Sequence, residues 1–180
     1  MRTRVDIDHL VRAARNGDKE AFGKLYDTFL DAVYRFVFFR VETRETAEDI
    51  TESVFVSAFE HIGNYKEQGL PFAAWLYQIA RNKVTDHYRS HKSTVPVDAV
   101  AETLASRENV EHSVEVALTH EYIMKCLRLL SDTYQEIIIL KYIEEKTNEE
   151  ISELLDKPLA HVRVLQSRAM KKLKEVAIHE

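Results

Sequence analysis

His87 and His91, in the run HYRSH, stand four residues apart and would place two imidazoles on one helix face, the spacing of a zinc-binding helix. The glutamate that a zinc hydrolase carries between such histidines is absent, because Tyr88 stands there, and no third ligand is indicated. Phosphate contact or plain solvent exposure suits the pair better. Glu48, Asp49 and Glu52 put three carboxylates on one helical stretch, as a carboxylate metal bundle does. That chemistry also needs a Glu-x-x-His motif on a facing helix, and none occurs. The single cysteine, Cys126, closes no intrachain disulfide and fits a reducing compartment; among Ile123, Met124 and Leu127 it reads as core packing rather than a redox switch. The expectation is therefore a protein that is not an enzyme and uses neither metal nor cofactor.

Two other constellations suit binding. Trp75, Gln78, Asn82, Asp86 and Arg89 form one stripe of a helix whose opposite side carries Phe72, Leu76, Ile79, Ala80 and Val84. An indole, two amides, a carboxylate and a guanidinium behind a glycine-flanked loop can stack on unpaired bases and bond their edges. The alternative is that Trp75 is a core residue and that Asp86 and Arg89 are an i,i+3 ion pair. On the last helix, Val162, Ala169 and Leu173, flanked by Leu165 and Gln166, lie together as a packing face. The opposite face holds Ala160, Arg163, Val164, Ser167 and Lys171, with His161 and Arg168 on its edge. Such a face fits a major groove, Arg reading guanine, small apolar groups meeting thymine methyls and Lys holding phosphate. A solvated cationic face at a helix C-terminal end is the other reading.

The elements that must carry these residues are helical. Gly and Pro together number 4 + 3 = 7 of 180 residues, about 4%, against the roughly 12% of average usage. Too few turn signals remain for a β-sandwich, a barrel or a glycine-clustered nucleotide site. A short helix over Asp6 to Asn16 ends at Gly17, and Asp18 caps a longer one bearing Phe22, Leu25, Phe29, Val33 and Phe36. A third helix starts near Thr46, with Asp49 as its capping-box partner, and stops at Gly63; Pro71 opens a fourth that reaches about Arg89. From Lys92 to His112 periodicity vanishes, which suits a tether. Beyond it come a helix from about Val114 to Leu130, a Ser131-capped helix through Tyr142, a short helix opened by the box Thr147 to Glu150, and a basic helix from Leu159 after the turn Asp156 to Pro158, together a helix-turn-helix.

The expected fold is thus all-α, with two small helical domains, an N-terminal bundle over 1–91 and a helix-turn-helix domain over 114–180, joined by a flexible linker over 92–113. Net charge is −5 and pI about 5.9, which alone argues against a free-standing nucleic-acid binder. The average hides a pattern: residues 121–156 carry 4 basic and 9 acidic side chains, whereas 157–174 carry 6 basic and no acidic ones. No apolar run exceeds four or five residues and the first ten residues carry four charges, so neither a membrane span nor a signal peptide is expected.

The run AEDITESVFVSAFEHI, a loop, and FAAWLYQIARNKVTDHYRSHK resemble region 2 of bacterial RNA polymerase sigma factors of the extracytoplasmic-function (ECF) group. LRLLSDTYQEIIILKYIEEKTNEEISELLDKPLAHVRVLQSRAMKKLKE resembles region 4 of the same group. The resemblance implies a cytoplasmic transcription initiation factor whose partners are core RNA polymerase, through the largest-subunit clamp coiled coil and the flap, promoter DNA, and an anti-sigma factor. It implies that Asp49 and Glu52 contact polymerase, with Ile50 and Val54 in the domain core. It implies too that the loop Gly63 to Leu70, with Asn64, Tyr65 and Lys66, captures a flipped base of the minus-ten element. By the same likeness Trp75, Arg81, Asn82 and Arg89 meet the melted strand. His161, Arg163, Val164, Ser167, Arg168 and Lys171 correspond to the recognition helix for the minus-thirty-five element, and the linker to the segment threading toward the active-site and RNA-exit channels.

Departures from the group's pattern are Glu52 for Gln, Asp156 for Gly, Ala160 and His161 for Gly-Thr, and Leu165 for Arg. Asp tolerates a left-handed turn, so the fold should survive, while the recognition-helix changes bear on which promoter is read. No appended sensing domain is expected. The competing reading is a stand-alone helix-turn-helix regulator that binds duplex operator DNA without polymerase; a pure interaction module is a third.

Overall fold

The computed structural model describes residues 4–66, 69–92 and 122–179. The first bundle holds α1 (Arg4–Arg15), α2 (Lys19–Phe38), α3 (Arg44–His61), a 3-10 turn (Ile62–Asn64) and α4 (Phe72–Lys92). The second holds α5 (122–128), α6 (Asp132–Ile138) running into a π-helical turn (Ile139–Ile143), α7 (Asn148–Leu155) and α8 (Leu159–His179). No strand occurs among the described residues. The expected linker beyond Lys92, and the expected helical segment 114–121, lie outside the described residues.

Local chemistry sets most boundaries. Gly17, at φ 94, ends α1, and the Asp18 side chain then accepts the Ala21 N–H to cap α2. α3 begins two residues earlier than expected because Thr43 takes the cap: its hydroxyl accepts the Thr46 N–H at 3.1 Å, and Asp49 plays no part. Thr147 and Glu150 form the expected reciprocal capping box of α7, and the bonded carboxylate is thereby held below its usual pKa. Ser131 occupies the cap position of α6, yet its side chain makes no capping bond. α6 also stops short of Tyr142 as an α-helix, since the Glu144 N–H reaches back five residues to Ile139 O. Four consecutive residues, Ile137 to Leu140, are buried there, more than one face of a regular helix hides.

The core of the first bundle is Leu25, Val33, Phe36 and Val37 of α2 against Ala47, Ile50, Val54 and Ala58 of α3 and Leu76, Ala80 and Val84 of α4. That of the second is Leu127, Ile137, Ile139, Leu140, Ile151, Val162 and Ala169, with Cys126 buried beside it. The two cores touch, because α7 lies against α4. Each burial there removes apolar surface from water at about 25 cal/mol per Å².

Candidate nucleic-acid interface

The second helix of the helix-turn-helix is positioned by a three-residue turn. Asp156 takes φ 50, ψ 52, the left-handed conformation anticipated for it, and the Ser152 hydroxyl fastens the turn by donating to Lys157 O at 2.5 Å. α8 then buries Val162, Leu165 and Ala169 and leaves Ala160, His161, Arg163, Val164, Ser167, Arg168 and Lys171 exposed. Leu165, one of the departures, is thus a packing residue. Gln166 is half-buried and donates to the Tyr142 hydroxyl at 3.3 Å. Arg163 comes within 3.9 Å of Glu149, an exposed pair worth little in water, so its guanidinium is free to reorient.

On α4, Trp75 is half-buried in an aromatic cluster. Its ring centroid lies 4.9 Å from that of Tyr65 and 5.5 Å from that of Phe72. Tyr65 itself is buried, so among the loop residues Asn64 and Lys66 stand open to solvent while Tyr65 supports the indole from below. Trp75 thus packs on its own bundle and also lines a cleft of about 490 Å³. Asn64, Lys66, Gln78 and Arg81 share that cleft with Leu154, Leu155 and Asp156 from the second bundle. Asn82 and Arg89 are exposed but lie outside it, and Arg89 pairs loosely with Asp86 at 3.9 Å. Arg81 departs from a purely solvent-facing role, its Nε lying 3.7 Å from Glu136 Oε1 of α6. Gly69, at φ 78, makes the turn into Pro71 that only a residue without Cβ adopts readily, whereas Gly63 has ordinary φ and open space around it.

A second surface lies between α2 and α3. Phe22, Tyr26, Leu30, Tyr34, Phe55, Val56 and Phe59 line a groove of about 860 Å³, rimmed by Asp31, Glu48, Glu52 and Glu60. Phe22 meets Phe59 edge-on at 5.0 Å and Tyr26 meets Phe55 at 4.8 Å. Glu52 thus stands on the rim, while Asp49 is exposed beside it. The rings are not among the expected contact residues. A second apolar stripe on α3, Val56 and Phe59 offset from Ala47, Ile50, Val54 and Ala58, is the signal that marks them.

Of the two histidines at metal-ligand spacing, for which phosphate contact or solvent exposure is the expectation, His87 is half-buried against the Tyr88 ring at 5.4 Å, and the His91 side chain lies outside the described residues. No three His, Cys, Asp or Glu side chains converge among the described residues, and no helix there is long and apolar enough to cross a membrane.

Two segments of the chain match known families: residues 25–94 match Sigma-70 region 2, and residues 120–173 match Sigma-70, region 4. The ECF RNA polymerase sigma factor BldN of Streptomyces coelicolor is 35% identical over 167 residues, covering 91% of this chain, which in turn spans 63% of that relative's length. The ECF RNA polymerase sigma factor SigW of Bacillus subtilis is 28% identical over 183 residues, covering 94% of this chain and 95% of its own. Among solved structures, the sigma factor RpoE, in complex with the anti-sigma factor NepR from Bartonella quintana, superposes with a TM-score of 0.61 at 21% identity, over 86% of this chain and 95% of that one. At that identity the likeness is one of fold.

Proposed function

The chain belongs to the ECF group of RNA polymerase sigma factors, and from that premise we propose that it joins core RNA polymerase in the cytoplasm and directs promoter recognition and melting. The observation that carries this reading is the presence, in one chain and in family order, of a cleft built on Trp75 and an exposed cationic helix face. α8 reads the minus-thirty-five duplex through His161, Arg163, Val164, Ser167, Arg168 and Lys171. Trp75, Asn82, Arg89, Arg81 and the loop residues Asn64 and Lys66 take the melted minus-ten strand, Tyr65 bracing the indole. Stacking and base-edge bonds are available only to an unpaired strand, so binding there favours the open state over duplex.

The α2/α3 groove, apolar with an acidic rim, receives a polymerase helix of matching apolar and basic character, with Asp49 and Glu52 at its edge. An anti-sigma factor competes for the same chain, a reading supported by the relative RpoE, which was solved bound to the anti-sigma factor NepR. A stand-alone operator binder is the reading set aside, because it leaves the region 2 match over 25–94 without a use.

Purified protein mixed with core polymerase should co-elute and start transcription from a cognate promoter. Neither co-elution nor initiation, together with tight binding to duplex DNA alone, would establish the regulator reading instead. Trp75→Ala combined with Asn82→Ala should lower open-complex formation far more than polymerase binding, since base stacking contributes about 1–3 kcal/mol per base. Equal loss of both would refute the division of labour.

A further inference from the structure

Tyr142 is a large side chain that the core of its bundle leaves out. It falls in the π-helical turn Ile139–Ile143, directly after the buried run Ile137 to Leu140, yet it is itself 47% exposed. The side chain stands beside α8. Its hydroxyl accepts the Gln166 amide N–H at 3.3 Å, and with Arg163, Ser167, Lys171 and Lys174 it lines an open cleft of about 500 Å³. Those four recur at i, i+4, i+8 and i+11 and so follow one flank of α8. No Asp or Glu of the described residues lines this cleft, and Glu149 meets Arg163 only loosely, at 3.9 Å. Three cations and two hydroxyls without a carboxylate among them make a donor set suited to phosphate.

The Tyr142 hydroxyl is arranged to give its proton away. Such a group has one proton and two lone pairs. The Gln166 N–H occupies a lone pair, which leaves the proton for an acceptor and polarises the hydroxyl toward donation. A phosphate oxygen can only accept. An α-helix with its side chains measures about 10–12 Å across and a major groove about 12 Å, so α8 fills the groove it enters, and a side chain held at its flank meets the wall of sugar and phosphate. We propose that Tyr142 is a backbone-phosphate ligand of the minus-thirty-five duplex, oriented by Gln166 and assisted by the cations along the flank of α8. The inference rests on the reading of α8 as the helix that enters the groove. Backbone contacts carry no base information, so Tyr142 fixes the register and depth of α8 and leaves the choice of bases to its exposed face. The π-turn sets where the ring emerges, because it shifts the register of every residue that follows it in the helix.

The test uses holoenzyme assembled from the full chain and core polymerase, with a promoter duplex chosen by in vitro selection on the wild type. Tyr142→Phe removes one oxygen and keeps the ring, so the melting temperature of the chain should stay near wild type. Duplex binding should weaken about tenfold, the worth of one hydrogen bond to a charged group, and by the same factor on duplexes carrying single base changes. Replacing each phosphate in turn by an uncharged methylphosphonate should find one position whose neutralisation weakens wild type and has no further effect on Tyr142→Phe. Affinity equal to wild type in Tyr142→Phe, a loss that varies with the base, or a loss that no methylphosphonate reproduces overturns the phosphate contact. Lys171→Ala separates that failure from failure of the underlying reading. If it too leaves duplex binding unchanged, α8 is not the helix that enters the groove; if it weakens binding while Tyr142→Phe does not, the Tyr142 assignment alone falls.

Discussion

Arg40 is the largest fully buried side chain among the described residues, and it is buried against Glu136, itself 5% exposed. Burial is the leading influence on both: it lowers the guanidinium's pKa and raises the carboxyl's, and the mutual attraction of the two charges opposes it on each side. A pair dominated by desolvation fixes geometry more than it adds net stability. Glu136→Leu alone should therefore cost about 3–5 kcal/mol by stranding a buried cation, whereas Arg40→Met with Glu136→Leu should recover most of it. Urea denaturation of the single and double variants closes the cycle; a double variant no more stable than the Glu136→Leu single would show that the ions contribute net stability. Nothing in the sequence marks Arg40, because it follows the apolar run of α2 and its partner lies 96 residues away. Arg81 and Tyr65 are opaque for the same reason, one diverted to Glu136 and the other sealed beneath Trp75. The exposed and packed residues of α8, by contrast, follow from helical period alone.

At the scale of elements, what can be read is what local hydrogen bonds decide. The box at Thr147 and Glu150 satisfies two N–H groups, at 3.1 and 2.7 Å, that no earlier turn can satisfy. Thr147→Ala should lower stability by about 1 kcal/mol, and Thr147→Ser should retain most of it, both read from thermal denaturation. Loss of the cap loosens α7, whose Leu154 and Leu155 sit under the junction, so the Ala variant should also show greater acrylamide quenching of Trp75. The start of α3 is ambiguous in sequence because Thr43 and Thr46 are both competent caps; their hydroxyls in fact bond each other at 3.0 Å, and Thr43 faces the open N–H. The π-turn after Ile138 has no sequence signal at all, since it comes from the packing of four consecutive apolar residues and not from any turn-forming type.

For the whole molecule, the net charge of −5 becomes a statement about assembly. Acid is concentrated on the helices that face the first bundle and on the rim of the α2/α3 groove, and base on α8 and along α4. Such a chain gathers few DNA phosphates by itself and needs the positive surface of a larger partner to bind promoter tightly. That places the weight of function on the groove. Val56 is 50% exposed and Phe59 47%, at positions where a monomer gains nothing from a bare aliphatic or aromatic surface. Val56→Asp points into solvent, so stability should change by no more than about 0.5 kcal/mol. A carboxylate in the floor of the groove must nevertheless be desolvated by any apolar helix that docks there. Co-elution with core polymerase should therefore collapse in Val56→Asp while the melting temperature stays near wild type, and α8, proposed to read duplex DNA and carried on a separate bundle, should keep its affinity for duplex promoter DNA. Undiminished polymerase binding would move the docking surface off α2 and α3 and leave Asp49 and Glu52 without the role given to them.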